Sequence, residues 1–104
     1  MNDTFVKVAH LSDLTAGEPL GVETLDGEAV CLVLVDGEVY AFQDRCSHRD
    51  FPLSSGRLDD GQIECAWHGA RFDVRTGRAL CLPAIKAIRI YEVKVENDEI
   101  YIGI

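Results

Sequence analysis

Two short segments of the sequence each carry a cysteine and a histidine close together. Cys46 and His48 follow the pattern C-x-H, Cys65 and His68 follow C-x-x-H, and sixteen residues lie between His48 and Cys65. Two thiolates and two imidazoles can hold one tetrahedral zinc ion. The same set can hold a cluster of two irons and two sulfides in which histidines replace two cysteines on one iron. These four residues are therefore the candidate metal ligands of the chain.

The order of the ligands within each segment bears on which metal site is present. Zinc knuckles usually pair like with like, with two cysteines on one knuckle and two histidines or cysteines on the other. Here each segment offers one of each, which is workable for zinc but unusual. In a cluster of two irons, each segment can lend its cysteine to an inner iron and its histidine to an outer iron. The pattern favours the cluster and leaves a zinc-stabilised interaction module as an alternative.

Length and net charge limit the class of protein. The chain has 104 residues, of which 47% are hydrophobic, and this suits one small domain spanning residues 1–104. A net charge of −8 disfavours nucleic acid as a partner. No apolar run has the length that a bilayer requires, and the stretch "MNDTFVKVAHLSDL" lacks the basic and then apolar pattern of a secretory signal. We expect a cytoplasmic protein that binds neither nucleic acid nor a membrane.

The charge is unevenly distributed along the sequence. Residues 43–82 contain six arginines and six acidic residues, so the remaining segments carry the whole charge of −8. Solubility alone accounts for such an excess. An acidic body that orients the protein as it docks to partners is the other interpretation.

Two further cysteines, Cys31 and Cys81, lie in the apolar stretches "AVCLVLV" and "RALCLPA". Structural disulfides are not expected in a reducing cytosol. We therefore interpret both as small buried hydrophobic residues.

Patterns of β-strands and turns dominate the chain outside its middle, which predicts an all-β fold of antiparallel strands. Asp36-Gly37 and Asn97-Asp98 each lie between two apolar runs, so each predicts a hairpin. The run "AIRIYEVKVE" is rich in β-branched residues and predicts strand structure. The stretch "LSDLTAGEPL" predicts a short turn or a single helical turn.

A loop-rich lobe, residues 44–82, interrupts a strand-rich body formed by residues 1–43 and 83–104. Residues 44–61 are rich in turn-forming types, whereas "QIECAW" and "ARFDV" predict short strands joined by a tight turn at "HGA". The lobe holds all four candidate ligands. Because its apolar content is low, we expect it to depend on a bound metal for stability.

The lobe motif "CSHRDFPLSSG…IECAWHGARFDVRTG" resembles that of the Rieske [2Fe–2S] family, and the surrounding strands match the family's all-β layout. The resemblance covers nearly the whole chain. It implies one [2Fe–2S] cluster with its buried iron held by Cys46 and Cys65 and its outer iron held by His48 and His68. It also implies that Pro83 lies in a loop that covers the cluster.

Four residues near the ligands distinguish between kinds of Rieske protein. Respiratory-type members carry an additional cysteine in each ligand loop, where this sequence has Phe51 and Trp67. Those members also place a serine and a tyrosine after the second ligand histidine, where this sequence has Ala70 and Phe72. Because hydroxyl donors to sulfur raise the potential, their absence predicts a value near the lower end of the Rieske range of about −150 to +300 mV.

A lone Rieske domain of this kind resembles the ferredoxin component of bacterial aromatic-ring dioxygenase systems. The resemblance implies an electron carrier rather than an enzyme, with a flavin-dependent ferredoxin reductase as electron donor and a terminal ring-hydroxylating oxygenase as acceptor. The alternative is a Rieske small subunit of a nitrite-reductase-type or monooxygenase complex. Arg49 stands where many relatives have glycine, and its role stays unassigned.

Overall fold

The computed structural model describes residues 5–24, 27–45, 52–66, 69–81 and 86–103, with only the backbone described for Cys81. Eleven β-strands and two 3₁₀ turns lie in these residues, and no α-helix occurs among them. No helical segment of the described chain is long and apolar enough to cross a membrane. The strands are β1 (Phe5–His10), β2 (Leu20–Glu23), β3 (Ala29–Val35), β4 (Glu38–Gln43), β5 (Arg57–Asp59), β6 (Gln62–Glu64), β7 (Arg71–Asp73), β8 (Ala79–Cys81), β9 (Ile90–Tyr91), β10 (Val93–Glu96) and β11 (Glu99–Gly103).

The strands form three antiparallel sheets, which confirms the predicted fold class. The strand orders are β1-β11-β10, β2-β3-β4-β9 and β5-β6-β7-β8. The third sheet comes between β4 and β9 in the chain, and these two strands pair with each other in the second sheet. Both ends of the segment that holds the candidate ligands are therefore anchored on one pair of strands.

Three hairpins of the described chain turn through two residues that both have positive φ. This backbone geometry is that of a type I′ turn, whose twist matches that of the flanking strands. Two of the three confirm predicted hairpins, and the third, between β5 and β6, was not predicted even though it carries the same Asp-Gly signal. The φ values are 52° and 81° at Asp36-Gly37, 52° and 62° at Asn97-Asp98, and 51° and 74° at Asp60-Gly61.

The run "AIRIYEVKVE" is divided between two sheets rather than forming one strand. Its β9 part pairs with β4 in the second sheet, and its β10 part pairs with β11 in the first. Glu92 lies between the two parts, and its carbonyl oxygen accepts a hydrogen bond from the Gly103 amide at 3.0 Å. The chain thus crosses from one sheet to the other at Glu92, where the periodicity of the sequence gives no sign of a break.

The N-terminal segment adds strand β1, which the sequence patterns did not predict. It pairs with β11 from Phe5 opposite Gly103 to His10 opposite Glu99. The predicted short turn then follows as a 3₁₀ turn at Leu11–Asp13, where the Asp13 carboxylate accepts the His10 amide hydrogen bond at 3.0 Å.

The second sheet lies between two hydrophobic clusters, and β3 contributes to both. Val30 and Leu32 belong to the cluster that includes residues of β11, whereas Cys31 and Val33 belong to the cluster that includes Phe72 of β7. Alternate residues of a strand face opposite sides of the sheet. Because both faces of β3 are covered, the strand is a continuous apolar run rather than an alternating one.

The predicted lobe contains more buried apolar structure than its composition suggested. Leu53, Ile63 and Phe72 are fully buried in the cluster they share with Cys31 and Val33. Burying one such large side chain stabilises a fold by roughly 1.5–3 kcal/mol. These residues pack on the face of β3 that carries Cys31 and Val33, whereas Leu80 of the same lobe is exposed. That the lobe depends on a bound metal for its stability stays a prediction.

Candidate metal centre

Cys65, one of the four candidate ligands, lies directly after β6 with only 2% of its surface exposed. Its backbone amide donates a hydrogen bond to the Ala70 carbonyl oxygen at 2.7 Å. This bond extends the β6–β7 pairing by one residue beyond the pair of Glu64 and Arg71. The same hydrogen bond brings Cys65 and Ala70 together, and of the residues between them only Ala66 and Gly69 are described. Gly69 has a φ of +71°, which glycine adopts at little cost, so the prediction of a tight turn at this glycine is confirmed.

A surface cavity of about 510 Å³ lies beside Cys65. Its walls include Ser55, Gly56, Ala66 and Gly69, which have small side chains or none. A water molecule occupies roughly 30 Å³ in the liquid. The space next to the buried cysteine is thus large enough for a group of several heavy atoms.

Gly56 brings β5 close to the cavity wall in a way that a side chain would prevent. A Cβ atom at this position would overlap with the backbone carbonyl oxygen of Glu64. The φ of Gly56 is −90°, which any residue can adopt. What requires glycine at this position is therefore the close approach to the Glu64 backbone.

The charged side chains next to Cys65 offset one another. The Glu64 carboxylate lies 3.8 Å from the Arg57 guanidinium and 3.7 Å from that of Arg71. Arg71 also donates a hydrogen bond to the Gln62 side chain at 3.3 Å. Exposed ion pairs of this kind contribute about 0–1 kcal/mol each. Together, the Arg57, Glu64 and Arg71 side chains carry one net positive charge.

The other three candidate ligands, Cys46, His48 and His68, lie outside the described residues, as do Arg49, Phe51, Trp67 and Pro83. Within the described part of the chain, no three histidine, cysteine or acidic side chains converge as a metal site would require. The structure does show Arg45 before the first candidate segment and Pro52 after it. A second cavity, of about 630 Å³, is lined by Arg45, two residues after the end of β4, together with Gln43, Arg89 and Tyr91.

Ala70 and Phe72 are both fully buried, and neither side chain carries a hydroxyl group. Ala70 follows Gly69, and Phe72 lies in β7 opposite Ile63. Neither residue can donate a side-chain hydrogen bond to a sulfur atom held next to Cys65.

Cys31 is fully buried in the same hydrophobic cluster as Cys65, which confirms its interpretation as a buried hydrophobic residue. Burial raises the pKa of its thiol far above the ordinary value, and the nearby Asp44 carboxylate adds to this rise, while a hydrogen bond with the Leu20 backbone opposes it. The Cys81 side chain lies outside the described part of the structure, so its interpretation as a buried hydrophobic residue stays a prediction.

We expect Cys31 to resist alkylation at high pH as long as the protein stays folded. At pH 9 an ordinary thiol, with a pKa of about 8.5, is mostly thiolate, whereas the raised pKa and burial keep Cys31 protonated and inaccessible. Treatment with iodoacetamide at pH 9, followed by peptide mass spectrometry, should find Cys31 unmodified in native protein and modified in 8 M urea (roughly the usual unfolding concentration). Equal labelling rates in the two conditions would contradict this assignment.

Comparison with known proteins identifies the family. Residues 4–92 match the profile of the family described as the Rieske [2Fe-2S] domain. This chain belongs to the Rieske [2Fe–2S] domain family. Over 104 residues, the Rieske domain is 40% identical to "Naphthalene 1,2-dioxygenase system, ferredoxin component" of Pseudomonas putida, with 100% of this chain and 99% of that protein covered. The predicted family and its [2Fe–2S] cofactor are thereby confirmed.

Solved structures agree with this assignment. The Rieske domain superimposes on the Sphingomonas yanoikuyae B1 ferredoxin with a TM-score of 0.93 at 31% identity, covering 97% of this chain and 99% of that one. It also superimposes on a chain of the "Complex of reduced oxygenase and oxidized ferredoxin in carbazole 1,9a-dioxygenase" with a TM-score of 0.90 at 32% identity, covering 98% and 94% of the two chains.

The described residues of the Rieske domain fit a [2Fe–2S] cluster. Cys65 places a buried thiol beside a cavity whose walls at Gly56, Ala66 and Gly69 carry little or no side chain. A thiolate is the type of ligand that iron–sulfur clusters require. When bound, the cluster supplies a couple that takes up and releases one electron at a time.

Proposed function

We propose that this Rieske domain is a ferredoxin that carries single electrons from a flavin-dependent ferredoxin reductase to a terminal ring-hydroxylating oxygenase. The observation that carries the proposal is the match over the full length to the ferredoxin component of a naphthalene dioxygenase system. The likeness to a chain from a complex of oxygenase and ferredoxin supports the oxygenase as the acceptor. The domain is an electron carrier and not itself a catalyst, which agrees with the naming of its relatives as ferredoxin or as the ferredoxin component of a dioxygenase system.

We further propose that Cys46 and Cys65 bind the inner iron and that His48 and His68 bind the outer iron. The burial of Cys65 supports its place on the inner iron, since a ligand with 2% exposure lies on the protein side of the cavity. The place of His48 and His68 on the outer iron rests on the match to the Rieske [2Fe-2S] domain family. In this arrangement electrons enter and leave on the histidine side.

In this role the chain itself has three tasks. The residues around Cys65 hold the thiolate in a fixed, dry position, so that little rearrangement accompanies electron transfer. The small residues that line the cavity leave the outer side of the site accessible to a partner. The acidic body, which carries the whole net charge of −8, gives the molecule an uneven field that orients it during encounters. One electron arrives from the reduced flavin of the reductase and one leaves to the oxygenase, and no bond is made or broken.

The organisation and location of the protein follow from the same proposal. Residues 1–104 form a single domain, with a body of residues 1–43 and 83–104 and a cluster-binding lobe of residues 44–82. The third sheet, which spans β5 to β8, falls inside the proposed lobe. The reducing cytoplasm is the proposed location because free thiolates are the ligands.

Anaerobic stopped-flow mixing tests the proposal. The protein, reduced by one electron, is mixed with an oxidised oxygenase of the naphthalene type, and its reoxidation is followed in visible absorbance. We expect rapid transfer that slows as salt is added, because exposed charges are screened within about 10 Å at 0.1 M ionic strength. A second mixing experiment replaces the chemical reductant with NADH and a flavin-dependent reductase. Absence of transfer in either arm, or purification in a stable complex with a large reductase subunit, would favour the small-subunit alternative.

The reduction potential gives a further prediction that depends on Ala70 and Phe72. We expect the wild-type midpoint potential to lie below +100 mV, towards the lower end of the Rieske range of about −150 to +300 mV. Ala70→Ser and Phe72→Tyr should each raise it, because each adds a hydroxyl donor in the fully buried region next to Cys65. Protein-film voltammetry measures the three values. Ala16→Ser, which adds a hydroxyl at an exposed position between β1 and β2, is the matched control and should leave the potential unchanged. A wild-type value above +100 mV would overturn the argument.

A further inference from the structure

Asp44 and Ser54 join the two ends of the segment that carries Cys46 and His48. One Asp44 carboxylate oxygen accepts the Ser54 backbone amide hydrogen bond at 2.6 Å, and the other accepts the Ser54 hydroxyl at 2.7 Å. Asp44 precedes the segment directly after β4, and Ser54 follows it in the 3₁₀ turn at Leu53–Ser55. Nine residues of the sequence therefore lie between two points that are fixed to each other by a pair of short hydrogen bonds.

This pair is itself held against the second sheet. A Cβ atom at Gly21 of β2 would lie 2.7 Å from the Ser54 hydroxyl oxygen and 2.8 Å from the Asp44 carboxylate, so the β2 backbone packs directly on the pair. The Asp44 amide donates to the Ala29 carbonyl oxygen at 3.0 Å. Both hydrogen bonds between Asp44 and Ser54 are partly buried. The carboxylate is thus fixed in place rather than mobile on the surface.

Gln43, the residue before Asp44, also holds the start of this segment in place, through hydrogen bonds to Arg45 and Arg89. The Gln43 side chain donates to the Arg45 carbonyl oxygen at 2.8 Å and accepts the Arg89 amide hydrogen bond at 2.7 Å. The Gln43 backbone amide also donates a hydrogen bond to the Arg89 carbonyl oxygen at 2.8 Å. The stem of the segment is therefore anchored before the first candidate ligand is reached.

The Asp44 carboxylate lies on the same face of the second sheet as Cys31, because a Cβ atom at Gly21 would contact this carboxylate and Gly21 pairs with Cys31 between β2 and β3. It is close enough to Cys31 to contribute to the raised pKa of that thiol. Cys31 and Cys65 belong to one hydrophobic cluster. A charge in this region is screened less than a fully exposed one.

We propose that Asp44 is a positioning residue of the electron-transfer site: it closes the base of the segment that carries Cys46 and His48, and its negative charge lowers the midpoint potential. The proposal rests on the assignment of Cys46 and His48 as ligands. Closure works because the hydrogen bonds to a carboxylate are among the stronger ones, and because holding the two ends of a chain segment together reduces the conformational entropy that metal binding must overcome. The effect on potential follows because reduction adds one negative charge, which a nearby carboxylate opposes.

Three variants of the holoprotein separate the two effects. Asp44→Asn keeps a side chain of the same shape and an acceptor for the Ser54 amide but removes the charge. Ser54→Ala removes the hydroxyl hydrogen bond but keeps the charge. Asp44→Ala removes both hydrogen bonds and the charge. The first readout is the rate of loss of visible absorbance in an iron chelator under anaerobic conditions, and the second is the midpoint potential by voltammetry.

We expect the potential to become more positive in Asp44→Asn and Asp44→Ala and to stay at the wild-type value in Ser54→Ala. We expect the cluster to be lost about 100-fold faster in Asp44→Ala, since two hydrogen bonds to a charged group are lost and each corresponds to roughly 10-fold. Ser54→Ala should be intermediate, and Asp44→Asn should stay close to wild type. A merely structural contact would change the rate of loss without moving the potential in Asp44→Asn.

An unchanged potential in Asp44→Asn, or a wild-type rate of loss in Asp44→Ala, would overturn the proposal. If Asp44→Ala does not fold, the potential of Asp44→Asn and the rate of loss of Ser54→Ala still decide it. Failure of the ligand assignment is recognised separately, because Cys46→Ser would then retain its iron. Failure of the Asp44 proposal alone leaves Cys46→Ser without the cluster.

Discussion

Cys65→Ala is expected to abolish binding of the [2Fe–2S] cluster, whereas Cys31→Ala is expected to retain two irons and two sulfides per chain. The two cysteines form a matched pair, since both are buried in one hydrophobic cluster and are exposed by 2% or less. They differ in what lies beside them. Cys65 lines the cavity formed with Gly56 and Gly69, while Cys31 lies within the central strand β3.

Iron and acid-labile sulfide analysis, together with the visible absorption spectrum, measures this difference. Loss of a ligand from a cluster-bearing segment should also lower the stability of the third sheet, because metal binding is coupled to folding. Cys31→Ala should lower the free energy of unfolding by about 1–2 kcal/mol through lost packing, with its spectrum unchanged. The ligand assignment of Cys65 fails if Cys65→Ala retains the native spectrum, or if Cys31→Ala loses its iron to the same extent.

Gly56→Ala is expected to destabilise the protein severely and to weaken retention of the cluster. The new methyl group would overlap with the Glu64 carbonyl oxygen, and that atom belongs to the backbone of β6 and cannot move without disturbing Cys65. Overpacking against fixed structure costs about 1–3 kcal/mol or more. The thermal midpoint and the rate of absorbance loss in chelator provide the measurements, and both should change together because one contact limits both.

Gly37→Ala is the matched control for this glycine. Gly37 has a φ of +81°, yet a Cβ atom there would meet nothing within 4 Å. The cost is then only that of the left-handed backbone, about 1–2 kcal/mol, and the turn lies between β3 and β4, away from the cavity. Cluster retention should therefore stay at the wild-type level in Gly37→Ala. A faster loss of the cluster in Gly37→Ala than in Gly56→Ala would refute the role given to the close approach.

Local signals in the sequence predicted the features that depend on a few adjacent residues. The Asp36-Gly37 and Asn97-Asp98 hairpins are examples, since positive φ at two successive positions restricts the residue types. The same rule would have found the Asp60-Gly61 hairpin, which was missed because its surroundings are rich in turn-forming residues. The predicted family follows from a motif of this local kind, with its fixed spacing of cysteine and histidine.

Features that depend on contacts between distant segments could not be predicted in this way. Nothing near Gly56 in the sequence indicates that its Cα packs on Glu64, and nothing near Asp44 indicates that it binds Ser54. The division of "AIRIYEVKVE" at Glu92 is another case, because the two halves pair with strands from opposite parts of the chain. These arrangements are set by which strands become neighbours, and a single sequence does not record that information.

The order of the strands along the chain has a consequence for how the protein folds. From β2 to β4 and from β5 to β8, every pairing joins consecutive strands, so these contacts are close in sequence. The pairs that complete the body are far apart, with Ala41 opposite Tyr91 and Phe5 opposite Gly103. Since contacts of low sequence separation form faster, the hairpin that ends at Cys65 should be present before the body closes. Under the proposed ligand assignment, iron would then meet Cys65 in an already formed hairpin, with β9, β10 and β11 closing the molecule afterwards.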